Sequence, residues 1–160
     1  MRLSGRINPE VLMRRSAGLA ALSLLAGAAA LPALAETVSV DLTFSEKALT
    51  ELTTRGEGVV VAAYWMGEPA PGATMTDPEL GTVFLQTEDL TLHAGPAKLV
   101  LGSNLANAPL DQVVEPKLNL NVYSGRWTSE DNLLDCEFLH DVLSKLVATP
   151  QKIHCKLIGE

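Results

Sequence analysis

Four residues near the C-terminus have the types and spacing to hold a metal or to form a covalent link: Cys136, His140, His154 and Cys155. On a helix, Cys136 and His140 share a face, because residues four apart are neighbours there. Two thiolates and two imidazoles suit zinc or copper. His154 and Cys155 are adjacent in a segment of strand character, and adjacent strand residues point to opposite faces, so both reach one ion only through a bulge. Cys155 shares its side with Ile153 and Leu157 and points to a core, while Cys136 borders an apolar helical face. An even pair of cysteines in an oxidising compartment reads as a disulfide, here closing a loop of about 20 residues. A Cys136–Cys155 disulfide is therefore expected, and no metal site.

The other groups able to do chemistry lack partners at recognisable spacing. His93, His140 and His154 are the candidate bases. A nucleophile elbow of the form Gly-x-Ser-x-Gly is absent, and Leu101-Gly102-Ser103-Asn104-Leu105 does not supply one. Glu88-Asp89 and Glu130-Asp131 are acid pairs of the kind glycosidases use. The first falls at an expected turn and the second in an expected first helical turn, where acids cap the positive helix end. Calcium-loop, dinucleotide-binding and P-loop patterns are missing, so no cofactor is expected. Tyr64 and Trp65 point to opposite faces of one strand, one towards a core and one outwards. Trp127 lies in the polar run Ser124-Gly125-Arg126-Trp127-Thr128-Ser129. A Trp beside an Arg is a common interface pair. Arg126 and Trp127, with the loop over 67–81, are therefore the expected partner-binding surface.

The elements that must position these residues begin after a leader. Arg2, Arg6, Arg14 and Arg15 form a basic start, an apolar run follows from Ala17 to Ala30, and Ala33-Leu34-Ala35 is a small-x-small cleavage site. The apolar run is shorter than the roughly 20 residues that span a bilayer. Residues 1–35 thus read as a cleavable signal peptide and 36–160 as a single β-rich domain in a bacterial periplasm. Arg14-Arg15 also fits twin-arginine export. Ser16-Ala17-Gly18 lacks the residues that complete that pattern, so the general secretory route is favoured. The leader takes four of the 12 basic and one of the 19 acidic residues, leaving 8 basic against 18 acidic and a net charge of −10. Such a surface repels nucleic acid and anionic lipid.

Val38, Val40, Leu42 and Phe44 alternate with polar residues as a half-buried strand does. Ser45 caps a short helix that Gly56 ends. The run from Gly58 to Met66 reads as a central strand. Shorter strands are expected at Thr82–Gln86, Leu90–His93 and Ala97–Leu101, with an irregular stretch over 102–116. Another strand holds Leu118, Leu120 and Val122. Ser129 is expected to cap a longer C-terminal helix with Phe138, Leu139, Val142, Leu143 and Leu146 on one face. A last strand carries Ile153, Cys155 and Leu157. The sum is a mainly β, single-domain β-sandwich, immunoglobulin-like or transthyretin-like, with one short and one longer helix.

The expected function is an exported periplasmic, non-catalytic binding or accessory module with another periplasmic or envelope protein as partner. A small hydrolase with a cryptic triad and a metal-handling protein are the alternatives. A pocket placing His93 beside an acid and a hydroxyl favours the first of these; clustered His140, His154 and Met residues favour the second. The mature protein should begin at Glu36, which intact mass of the exported chain measures; a leader retained in the soluble fraction contradicts the assignment of compartment.

Overall fold

Val38, Val40 and Leu42 are buried while Ser39 and Thr43 are exposed, so β1 (Val38–Phe44) is the half-buried strand its alternation dictates. The computed structural model describes residues 36–160, and the signal peptide read at residues 1–35 lies outside them. Ser45 Oγ accepts from Ala48 N at 3.0 Å and opens α1 (Glu46–Arg55); Gly56, at φ 68°, closes it. The helix seats Ala48 and Leu52 in the core.

β2 (Gly58–Pro69), β3 (Val83–His93), β4 (Ala97–Leu101) and β5 (Val113–Ser124) follow, then β6 (Leu134–Cys136), β7 (Leu139–Val142), α2 (Leu143–Leu146) and β8 (Gln151–Leu157). They form two four-stranded sheets. The first has the order β4-β1-β8-β6, with β1 antiparallel to β4 and parallel to β8. The second has the order β3-β2-β5-β7 and is antiparallel throughout. Val40, Leu42 and Ile153 from the first sheet share one buried cluster with Val61, Trp65, Leu118 and Leu120 from the second. Burial of these side chains is the main drive for the fold, at about 1.5–3 kcal/mol for each large one.

The longer C-terminal helix does not form. Residues 134–142 are two short strands, and only Leu143–Leu146 make a helical turn. Long-range pairing overrides the local 3.6-residue period here: Leu134 and Cys136 alternate inward opposite Leu157 and Cys155, and Leu139 lies opposite Leu120. Cys136 and His140 therefore share no helical face. Ser129 caps no helix; its Oγ accepts from Asp131 N at 3.3 Å in a tight turn. Nor is Glu88-Asp89 a turn. The strands expected at Thr82–Gln86 and Leu90–His93 are one strand, β3, which starts at Val83, with Glu88 and Asp89 opposite Ala63 and Ala62. β5 starts at Val113, ahead of the expected Leu118.

Cys136 and Cys155 are bonded, with S–S 2.03 Å and α-carbons 4.0 Å apart, as directly opposed residues of β6 and β8. β6 is only three residues long and lies at a sheet edge, so the bond fixes an element that ladder hydrogen bonds alone hold weakly. Replacing both cysteines by Ser should lower stability by about 3 kcal/mol. Chemical denaturation of the folded variant measures this, and an unchanged midpoint would show the link to be dispensable.

Candidate functional site: the outer face of the second sheet

Strand register sets which side chains leave the second sheet on its outer side. Val59, Val61, Ala63 and Trp65 point inward from β2, so Gly58, Val60, Ala62 and Tyr64 point outward. Their neighbours on the same side come in rungs across β3 and β5: His93–Gly58–Gly125, Thr91–Val60–Tyr123, Asp89–Ala62–Asn121 and Thr87–Tyr64–Asn119. β7 adds His140 opposite Asn119. A bulge between Trp65 and Met66 precedes the last rung, in which Met66 lies opposite Phe84 and Lys117. Phe138, 63% exposed, stacks on His140 with ring centres 6.2 Å apart. Together with Trp127, described next, five of the chain's seven aromatic residues occupy this one face; Phe44 and Trp65 go to the core instead.

Trp127 lies flat at the Gly58 end. A β-carbon built on Gly58 would meet Cζ2, Cη2 and Cε2 of the indole at 2.4, 2.5 and 2.6 Å. Such near-equal distances arise only over the ring's face. One on Gly125 would meet Nε1, Cδ1 and Cε2 at 2.8, 3.1 and 3.2 Å. The six-membered ring thus covers Gly58 and the five-membered ring covers Gly125, bridging β2 and β5. Only glycine permits this approach. The indole remains 47% exposed, and the His93 ring makes a T-shaped contact with it at 5.8 Å and 85°.

Glu57 holds this arrangement. Its residue is 2% exposed, yet it is charged. Oε1 accepts from Gly58 N at 3.0 Å and Trp127 N at 2.9 Å; Oε2 accepts from Thr128 N and Thr128 Oγ1, both at 2.8 Å. Burial alone would raise the carboxyl's pKa, but the hydrogen bonds from Trp127, Thr128 and Gly58 outweigh it and lower the value from 4.5 to about 2. Arg126, at φ 56°, turns the chain so that Trp127 folds back onto the sheet. Asn132 secures the following segment: its Oδ1 accepts from Ser124 N at 2.9 Å and Leu134 N at 3.1 Å.

The two expected contact segments are not brought together. Arg126 and Trp127 sit at the start of β2, and the loop over 67–81 leaves from its other end, with Met75 52% and Leu80 76% exposed. The aromatic face runs between them. Sequence reasoning found Trp127 but not the face, because its members come from separate strands joined only by register. The outward parity of Tyr64 was the one local signal.

The histidines do not converge. His93 and His140 lie on this face, and His154 lies on the outer side of the first sheet. His154 Nδ1 is 3.0 Å from Thr43 Oγ1 over a shallow depression lined by Asp135, Cys136, Glu137 and Lys156. That pair resembles a base and a hydroxyl, but Glu137 Oε2 accepts from the His154 backbone N at 2.9 Å, not from its ring. The orienting third member of a triad is therefore not in place. Among the described residues, no group of three or more His, Cys, Asp or Glu is arranged to hold a metal ion. Protein-family models, curated proteins and solved structures give no match to this chain.

Glu57→Gln keeps the side chain's size but turns an amide NH2 towards backbone donors. It should cost about 3 kcal/mol and release the indole. Because the folded pKa is depressed, the carboxylate's contribution is fully present above pH 4.5 and is lost as pH falls through about 2. The stability gap between wild type and variant, from denaturation curves, should thus be flat above pH 4.5 and narrow below it.

Proposed function

We propose that the chain is an exported, non-catalytic binding or accessory module of the periplasm, and that the outer face of the second sheet is its binding surface. The two sheets around one core are read as a sandwich of the immunoglobulin-like or transthyretin-like kind. The aromatic concentration on that face carries the reading. Large apolar residues at a solvent-facing sheet add nothing to the core and mark a contact surface. Tyr64, Phe84, Trp127 and Phe138 are 38%, 51%, 47% and 63% exposed. The outer side of the first sheet carries Asp41, Lys98, Lys152, His154 and Lys156 instead, which is ordinary solvated-sheet chemistry. The Cys136–Cys155 bond supports an oxidising compartment.

The partner is a component of the envelope, in keeping with the proposed compartment. Arg126 stands at the rim of the indole platform, and rim charges tune encounter more than affinity.

Co-sedimentation with an isolated envelope fraction tests the surface. Wild-type protein should pellet with it, and Trp127→Ala should stay in the supernatant. Half of the indole is already exposed, so the variant should lose no more than about 2 kcal/mol of stability. Equal pelleting of both proteins, or of neither, contradicts the proposed surface.

A further inference from the structure

We infer that the occupant of the aromatic face is a neutral glycan strand, bound by stacking of its sugar rings on Trp127 and on the tyrosines that follow it. The inference rests on the binding-module reading above and names the ligand of that same surface.

The shape of the platform decides between ligand classes. An anchor for a protein partner is a side chain that projects into a pocket and is desolvated on all sides. Trp127 does not project. One face of its indole is spent on Gly58 and Gly125, and the other lies open and parallel to the sheet. A flat open ring face matches the flat C–H face of a pyranose, which has apolar surface on its face and hydroxyls at its rim. The ring is also placed before any ligand arrives, by Glu57 on the backbone of Trp127 and Thr128 and by the T-shaped contact with His93, so little ordering entropy is lost on binding.

The rungs beyond Trp127 supply what the hydroxyls need. Tyr123 and Tyr64 follow along the strands, and Thr91, Asn121, Thr87 and Asn119 lie beside them. Amide and hydroxyl side chains both donate and accept, as sugar hydroxyls do. From Gly58 to Met66 the platform is about 25 Å long at the usual strand rise, enough for several sugars in a row. A single ring would use only one end.

Charge selects the neutral class. Residues 36–160 carry a net charge of −10, which repels sulfated, uronic or phosphorylated chains. In the rungs from Gly58 to Tyr64 the one charged side chain is Asp89, an acceptor suited to paired sugar hydroxyls. Outside these rungs, Arg126 adjoins Trp127 at the near end, and Lys117 and Glu68 pair with each other at 2.6 Å at the far end.

Titration calorimetry with chitohexaose, cellohexaose and maltohexaose, with a hyaluronan hexasaccharide as the anionic comparison, tests this. At least one neutral hexasaccharide should bind, more tightly than its own disaccharide, and the anionic one should not. Trp127→Ala should weaken binding at least about tenfold, and Tyr123→Ala by a smaller factor. Gly58→Ala keeps the indole but lifts it from the sheet and should also weaken binding. Variants are compared only where circular dichroism and thermal midpoint show a folded chain. Failure of all three neutral hexasaccharides at millimolar concentration overturns the inference, as does binding indifferent to Trp127. If envelope pelleting depends on Trp127 but is abolished by protease treatment of the envelope and unmoved by the hexasaccharides, the partner is a protein. The glycan inference then falls while the binding-module reading stands.

Discussion

A carboxylate withdrawn from water is tolerated only where donors replace the water, and around Glu57 four of them do. Those donors come from the start of β2 and from the segment just after β5, so one side chain ties the head of the central strand to the turn that carries Trp127. Other features at this end follow from that tie. Gly58 and Gly125 must lack side chains because the turn returns over them. Arg126 must take a left-handed conformation because the turn is too tight for an extended one. His93 then meets the indole in a T-shaped contact. A charge buried with its partners thus specifies one geometry of the loop, where an apolar residue would permit several.

The two sheets share a core but present unlike outer surfaces. The outer side of the first sheet carries Asp41, Lys98, Lys152 and Lys156 with the hydroxyls of Ser39 and Thr43, and one exposed apolar residue, Val100. The second adds to Asp89, Thr87 and Thr91 the rings of Tyr64, Phe84, Tyr123 and Trp127 and the amides of Asn119 and Asn121. Its edge strand β3 carries Glu88 and Asp89 at mid-length, and charge at an edge discourages uncontrolled pairing with another chain. Glu88 also accepts from Gly102 N at 2.8 Å, which closes the passage from β4 into the irregular stretch behind Trp65.

Much of this fold was legible wherever a local signal agreed with the tertiary one. β1, α1 with both caps, the central strand, β4 and the last strand follow from alternation, from Ser45 and Gly56, and from Gly-bounded apolar runs. The failure falls on residues 130–146. There Phe138, Leu139, Val142 and Leu143 mimic a helical face, and the winning interactions are with β8 and β5, which periodicity within the segment does not report. The disulfide was readable because compartment and parity both pointed to it. The aromatic face was readable only in fragments. Tyr64 and Tyr123 are far apart in sequence and stand two rungs apart on one face, with the Ala62–Asn121 rung between them, so their association depends on the β2–β5 register. The acid pair at Glu88-Asp89 misled for a similar reason: polar residues at an exposed edge resemble a turn when the partner strand is unknown.

The pairing of β1 with β8 also bears on the order in which the chain can fold. Thr43 Oγ1 donates to Ile153 O across a separation of 110 residues. β1 lies between β4 and β8 in its sheet, so one side of the earliest strand stays open until the last strand arrives. Contacts of such long range close late, because the loop entropy is lost before the contact forms. The late arrival of β8 leaves the first sheet incomplete until the whole chain is present. It also places the Cys136–Cys155 bond among the final events, once β8 has reached β6.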